Sequence, residues 1–496
     1  MNEKIKIGWA KCDITPAGPT MLAGQMGNRL STGVLDHLFT SALALECGNE
    51  KAIIISADLC GIRMGLMKQI RQKISAATGV PGENVTASAT HTHTGPQYGN
   101  VIPRSEWYKN LRNANLPLGV GNRGVDVEEM RRQHPDFVDS EQYFYFLVEK
   151  ISGTAIKAWE NRTCGKVAFG CGTAVVGESR RLTMAEQGGL MYALEDDPAM
   201  LNAEGHVDHT VNVLSTYTED GDLTGIVINV ACPSQVSEAM SVVSADYWNE
   251  VRSEVAARFG KDIFVLPQCS AAGDCSPHKL LGRRADERML LLRGQQQKPN
   301  SDWKWGKRVY NLDYGLGRRR ELARRIAVAL EDVLPVIAGT AESAPVMKKG
   351  FTVVELPPRL ITAEEADEAG TKAERMIVDY GETYTGLIPW YMGVVERFKN
   401  PPASVPMEIH TLRIGDMVFA TNSFELYLDY GDRIKGRSKA VQTFLVQLSA
   451  GAGTYLPSGR SGGKGYGSVP ASSIVTVAGG NMLVEESVKA INMLFD

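Results

Sequence analysis

Lys51-Ala52-Ile53-Ile54-Ile55-Ser56-Ala57-Asp58 is an apolar run ending on a carboxylate. Three successive β-branched isoleucines favour an extended strand buried on both faces. Working outward, Met64–Thr78 follows, with Ile70 and Ile74 four apart, so that the spacing predicts a helix. Asn84–Ala89 is a small-residue strand that runs straight into Thr90-His91-Thr92-His93-Thr94-Gly95-Pro96. A strand Leu43–Cys47 precedes this unit, and an amphipathic helix Glu141–Glu160 comes later. Val211–Thr218 and Leu223–Ala231 read as a hairpin across Glu219-Asp220-Gly221-Asp222. Further on, helix Ser244–Phe259, strand Asp262–Pro267 and helix Arg318–Leu334 continue the alternation. Strand Lys349–Leu356, helix Ala363–Val378 and strands Met407–Ile414 and Met417–Asn422 follow. The chain closes with a glycine-rich stretch, Gly451–Gly467, and a helix from about Glu485. This alternation predicts an α/β fold: mixed β-sheets flanked by helices, with a substantial parallel component.

The chain has 496 residues, a net charge of -4, 43% hydrophobic and 22% charged residues, which is enough apolar side chain for a sizeable core. No Pro/Ser linker divides it, so one large domain over 1–496 is expected, with insertions near 99–139 and 278–316. The balanced charge argues against nucleic acid, which a binder meets with a basic excess. No window holds the ~20 apolar residues of a membrane span, so stable membrane insertion is not expected. The eight cysteines (12, 47, 60, 164, 171, 232, 269, 275) form no Cys-x-x-Cys pair, which favours reduced thiols over a disulfide framework. The start, Met1-Asn2-Glu3-Lys4-Ile5-Lys6, leads into no apolar core of a signal peptide. A cytoplasmic location is therefore expected, with secretion after removal of a leader as the other reading.

Four constellations carry chemistry. In extended backbone, His91 and His93 project to one side, at the end of a buried strand. They can serve as metal ligands or as acid and base near neutral pH, or be satisfied by loop carbonyls. Ala272-Gly273-Asp274-Cys275-Ser276-Pro277 lies just past strand Asp262–Pro267, where α/β proteins place ligands. Ser276 there is a nucleophile, a polar contact or merely a turn residue. Cys232, at another strand end, is a thiolate ligand or a small buried hydrophobe. Glu425, after strand Met417–Asn422, is a carboxylate ligand or a first-turn acid. Gly462-Gly463-Lys464-Gly465-Tyr466-Gly467 lacks the spacing of a phosphate-binding loop and reads as a mobile loop near the site. Arg318-Arg319-Arg320 and Arg324-Arg325 read as a solvated helix face. His206 and His209 read as structural, and His278 follows the Ser276 loop.

The order of these motifs resembles the neutral/alkaline non-lysosomal ceramidase N-terminal domain family over nearly the whole chain. The likeness begins at Gly8-Trp9-Ala10-Lys11-Cys12-Asp13-Ile14-Thr15-Pro16 and continues through Leu35–Leu43, Ser56–Leu59 and Thr90–Pro96. Ser179-Arg180-Arg181, Gly273–Pro277, Ser423-Phe424-Glu425, Gly453–Pro457 and Gly463–Tyr466 complete it. The chain is similar to a short bacterial-type member without the C-terminal immunoglobulin-like domain. The resemblance implies a Zn2+ ion held by His91, Glu425, Tyr455 and the position of Cys232, where the family has a second histidine. It also implies His93, Arg180, Ser276 and Tyr466 around the scissile amide. At 232 a thiolate replaces imidazole, His206 and His209 being other candidates for the gap.

Three functions follow as expectations. The first is a zinc-dependent hydrolase of an amide or related carbonyl bond, acting through metal-activated water on a small-molecule substrate more polar than ceramide. Trp303, Trp305 and Arg308 in the basic insertion motivate that polarity, and suit sugars as well as lipid amides. The second is a metal-assisted lyase or other glycan-active enzyme on the same scaffold. The third is a metal-free binding protein. Oligomerisation is left open.

Overall fold

The computed structural model describes residues 3–99, 125–192, 197–299, 312–380, 387–451 and 454–496. Trp303, Trp305 and Arg308 lie outside the described residues, as do 100–124 of the first insertion. Ile53 and Ile55 pack against Leu66 and Ile70 of helix Met64–Thr78 and Leu147 and Ile151 of helix Ser140–Glu160. Ile54, between them, points the other way, into a layer shared with Leu412 and Phe419. Alternation across a strand covered on both faces explains the unbroken apolar run. Helix Ser140–Glu160 begins at Asp139, whose side chain accepts from backbone N–H groups while Gln142 reaches back to complete a capping box.

Two sheets meet face to face. The larger has eight strands in the order Phe264–Cys269, Leu223–Val230, Thr210–Thr218, Thr163–Thr173, Lys6–Asp13, Phe39–Cys47, Glu50–Ala57, Val85–Ala89. The smaller has four: Met347–Leu356, Val405–Ile414, Met417–Thr421, Gln442–Val446. Trp9, Leu214 and Val227 from the first sheet interlock with Ile414, Met417 and Phe444 from the second. Helices Tyr247–Phe259 and Leu312–Ala338 cover the rest of the larger sheet's outer face. Helices Leu428–Arg437 and Val477–Asn492 cover the smaller sheet. The layers therefore run helix, sheet, sheet, helix, which is a mixed α/β fold.

The parallel component is smaller than the alternation implies. Within these two sheets, parallel ladders join Leu223–Val230 to Phe264–Cys269 and Glu50–Ala57 to Val85–Ala89, at the two margins, and Met417–Thr421 to Gln442–Val446. Neighbours elsewhere in these two sheets are antiparallel. Tight turns are the reason, such as the one at Gly48, which holds φ +60 between strands Phe39–Cys47 and Glu50–Ala57. Sequence reading also missed helix Leu387–Lys399 and started the last helix eight residues late: it begins at Val477, capped by Thr476.

The arginine run is corrected at two positions, while Arg320 is exposed. Arg318 and Arg319 are fully buried. Arg319 holds Asp36 at 2.7 Å and Glu250 at 2.9 Å; Arg318 holds Asp286 at 2.9 Å and the Pro277 carbonyl at 3.1 Å. Buried carboxylates on other elements turn an apparent solvated face into an internal tie, and Arg318 braces the loop that carries Ser276. Arg324 and Arg325 pair with Glu321 on the same helix.

Lys349 lies at the mouth of a gap between the sheets beside His410, and donates to the Glu83 carbonyl. Burial, reinforced by nearby Arg71, lowers its ammonium to about 8. The folded chain thus binds fewer protons than the unfolded one between about 8 and 10.5, and stability rises with pH across that window. Lys349→Met is expected to stabilise the protein at pH 7 by about 1–2 kcal/mol, after discounting for partial exposure. The gain should fade above pH 10, as read by denaturant unfolding at both pH values.

Candidate metal centre and active site

Strand ends from both sheets converge at one edge. The chain leaves Val85–Ala89 into His91 and His93, Leu223–Val230 into Gln235 and Glu238, and Phe264–Cys269 into Asp274 and Ser276. From the second sheet it leaves Met417–Thr421 into Glu425, and Gln442–Val446 towards Tyr455. Backbone bonds stitch these exits together: Ser270 N to Val230 O at 2.9 Å, Gln447 N to Cys269 O at 3.0 Å, Ser449 N to Asn422 O at 2.9 Å. Glu425 and Tyr455 are partners in a short parallel ladder. Gly273 makes a close approach, since a Cβ there would stand 2.3 Å from the Glu425 carbonyl oxygen, so only glycine fits.

His91 does not adopt the extended backbone expected of it: its φ is +63°, a left-handed conformation that a bulky side chain rarely holds. The two rings still meet edge to face, with centroids 4.9 Å apart. His91 Nδ1 lies 2.5 Å from the Cys60 carbonyl oxygen, an acceptor, which assigns a proton to Nδ1. Nε2 stands 3.3 Å from Glu425 Oε2, yet the pair is not aligned for a hydrogen bond, and Nε2 is buried without a hydrogen-bond partner. The Tyr455 phenol lies beside the same carboxylate and helps to lower it. Arg180 approaches it at 3.7 Å, and donates to Tyr455 Oη at 3.1 Å and to the Gly273 carbonyl at 2.8 Å.

Electrostatics follow from this crowding. Burial opposes the His91 charge, but Glu425 and the Cys60 thiol override it and hold the imidazole well above its ordinary value. Burial likewise works against the Glu425 carboxylate, and His91 and Arg180 bring it below the usual range. The Tyr455 phenol is pushed far up by burial, against Arg180. Burial also raises Tyr466, whose ring sits edge-on to Tyr455 with centroids 5.3 Å apart. Arg181 clamps the loop of Tyr466 by donating to the Tyr466 carbonyl at 3.1 Å and the Lys464 carbonyl at 2.9 Å.

His93 has its own support. Its Nδ1 faces Glu238 Oε2 at 3.0 Å, and its Nε2 faces the Gln235 amide nitrogen at 2.9 Å. Glu238 also receives His278 Nε2 at 3.3 Å and the Gln25 amide at 2.8 Å. Burial alone would raise Glu238, but His278 and His93 bring it far below the usual carboxylate range. Gly24, at φ +92°, leaves room for the His93 ring, where a Cβ would come within 2.3 Å. Ser276 is buried; it accepts the His278 backbone N–H at 3.1 Å and hydrogen-bonds Tyr192, which in turn accepts from Arg180 at 3.0 Å.

Cys232 is placed elsewhere. Its side chain packs with Val236, Tyr247 and Trp248 in the core, and its thiol donates to the Pro233 carbonyl at 3.5 Å. Burial pushes that thiol well above its ordinary value. His206 pairs with Asp432 at 2.6 Å on the surface and does not fill the gap. Sequence reading passed over Cys60, Tyr192, Gln235 and Glu238. Cys60 had one available signal: it follows the strand Lys51–Asp58 that runs beside the histidine strand. One ligand atom from each of Cys60, His91 and His93 lies within 4.8 Å of the others, a group able to hold a metal ion.

No protein-family model matches the chain. Among solved structures it is similar to the neutral ceramidase from Pseudomonas aeruginosa, with 17% identity and a TM-score of 0.63 over 99% of this chain and 74% of that one. It is similar as well to a ceramidase complexed with C2, with 16% identity and a TM-score of 0.63 over 99% of this chain and 75% of that one. At such low identity the likeness concerns architecture, and this chain is built on the fold of those ceramidases.

Proposed function

We propose that the protein is a zinc-dependent hydrolase of an amide or related carbonyl bond. The observation that carries this reading is the buried pair His91 Nε2 and Glu425 Oε2, 3.3 Å apart with no hydrogen bond between them. Two ligands roughly 2.0–2.1 Å from a tetrahedral zinc stand about that far apart. His91, Glu425 and Tyr455 fit as three of its holders. When bound there, zinc supplies Lewis-acid polarisation of the carbonyl and a more acidic water.

The chain's own groups do the rest. His93, oriented through Nδ1 by Glu238, takes a proton from the attacking water and returns it to the leaving amine. Arg180, held by the Gly273 carbonyl and Tyr192, directs its cation at the oxygen where negative charge builds, and Tyr466 adds a phenolic donor. Ser276 acts through its contacts with Tyr192 and the His278 backbone as a positioning group. The described residues around this centre, Gln235, Tyr192, His278 and Arg180, are polar and favour a substrate more polar than ceramide.

The test is elemental analysis of freshly purified protein, followed by product analysis. About one zinc per chain and release of a free amine from an N-acylated amine are expected, with N-acetylated amino sugars cleaved faster than long-chain ceramide. A product with a new carbon–carbon double bond would show a lyase instead, and metal-free protein would remove the hydrolytic proposal.

A further inference from the structure

Met347–Leu356 is the outer strand of the four-stranded sheet, and among the described residues no further strand pairs with it. It runs ten residues without a proline, and its ladder to Val405–Ile414 has no bulge. Gly415 N–H donates to the Val346 carbonyl at 2.8 Å, at the start of that ladder. Bonded pairs alternate along an antiparallel ladder, so the backbone groups of Lys348, Gly350, Thr352 and Val354 turn inward. Those of Lys349, Phe351, Val353 and Glu355 turn outward, and no backbone hydrogen bond from the described residues reaches them. The four side chains share one face, on which Phe351 is 44% exposed, Val353 is 48% exposed and Glu355 is exposed as well. A long, regular edge with exposed apolar side chains is a template for another strand. We propose that this edge docks a second copy of the same chain, paired antiparallel about a two-fold axis at Thr352.

The segment's own sequence is complementary to itself in that register. Phe351 of one copy stands opposite Val353 of the other, and Lys349 stands opposite Glu355, at both ends of the contact. Thr352 faces its own equivalent at the centre, and an aromatic with a β-branched residue, a threonine pair and opposite charges are all favourable across strands. Because the outward groups belong to these same four residues, each opposed pair exchanges N–H···O bonds. Moving the axis by one residue spoils the match. Centred on Phe351, the pairing sets Lys349 against Val353; centred on Val353, it sets Glu355 against Phe351. The charges are within reach of their partners: Lys349 donates to the Glu83 carbonyl, and Glu355 accepts from Ser404 at 2.5 Å, which leaves each with bonding capacity for the opposite charge. One patch meeting itself across a two-fold axis closes on a dimer and leaves no free edge to grow a fibre. The strand lies away from the metal centre's loops, so this inference stands apart from the zinc reading.

The test is sedimentation velocity of the full chain over a range of concentrations. Wild type is expected to show a monomer–dimer equilibrium in the micromolar range, as a small interface implies. Glu355→Lys sets lysine against lysine at both ends and should weaken the dimer about 10-fold or more. Lys349→Glu should do the same with two glutamates. The double variant Lys349→Glu/Glu355→Lys restores both pairs in reverse and should recover the dimer. Val353→Lys leaves those charges in place yet should also weaken association, and it decides the matter if a charge variant misfolds by circular dichroism. Wild type that stays monomeric into the high micromolar range would overturn the proposal. So would a dimer that every single variant leaves intact, because it would form through another face. A folded double variant as weak as the single ones would overturn the two-fold register.

Discussion

His91→Ala is expected to bind no zinc and to lose activity by a factor on the order of 10³ or more, because a several-kcal/mol electrostatic contribution to the transition state goes with the metal. Elemental analysis and initial rates would check it; full zinc occupancy in the variant would rule His91 out as a ligand. The backbone at this residue adds a second readout. Its φ of +63° costs a side-chain-bearing residue about 1 kcal/mol that glycine does not incur. His91→Gly should therefore be equally inactive yet more stable than His91→Ala by about 1 kcal/mol in metal-free denaturant unfolding. Equal stability of the two variants would mean that the turn relaxes in solution.

Glu238→Gln should have the next largest effect. Glu238 receives Nδ1 of His93, and it is the anion that aims this imidazole. Glutamine keeps the shape but loses the charge, and a donated amide hydrogen can fix the wrong tautomer, so kcat is expected to fall about 10²–10⁴-fold. The pH profile should move as well. Burial opposes a charge on His93, whereas contacts with Cys60 and Glu238 raise it and the neighbouring His91 lowers it. Removing the Glu238 charge lowers the imidazole, so the rising acid limb of kcat/KM should shift to lower pH. A reduced rate with an unmoved limb would place Glu238 in a purely structural role.

What was legible in the sequence divides along physical lines. Helices and strands with their own periodicity, such as Met64–Thr78 and the isoleucine strand, could be read locally because burial imposes the spacing. The charged tie of Arg318 and Arg319 could not, since its carboxylates at Asp36, Glu250 and Asp286 arrive from other parts of the chain. The same holds at the site. His91, Glu425 and Tyr455 could be singled out through their motifs, and the structure brings them together. Glu238 and Gln235 sit in an irregular segment with no period and no motif, so only three-dimensional proximity reveals them. Cys232 carried the opposite hazard: its position in a motif marked it, whereas the packing of an apolar core decided where its thiol went.

The assembly of the centre from both sheets governs when the molecule can begin to work. Arg180 and Tyr455, bonded through the guanidinium, are separated by 275 positions. No fragment that stops short of Tyr466 holds all the participating groups, and each distant closure must wait for the segments between to settle. A growing polypeptide would thus lack the complete set of these groups until Tyr466 had emerged.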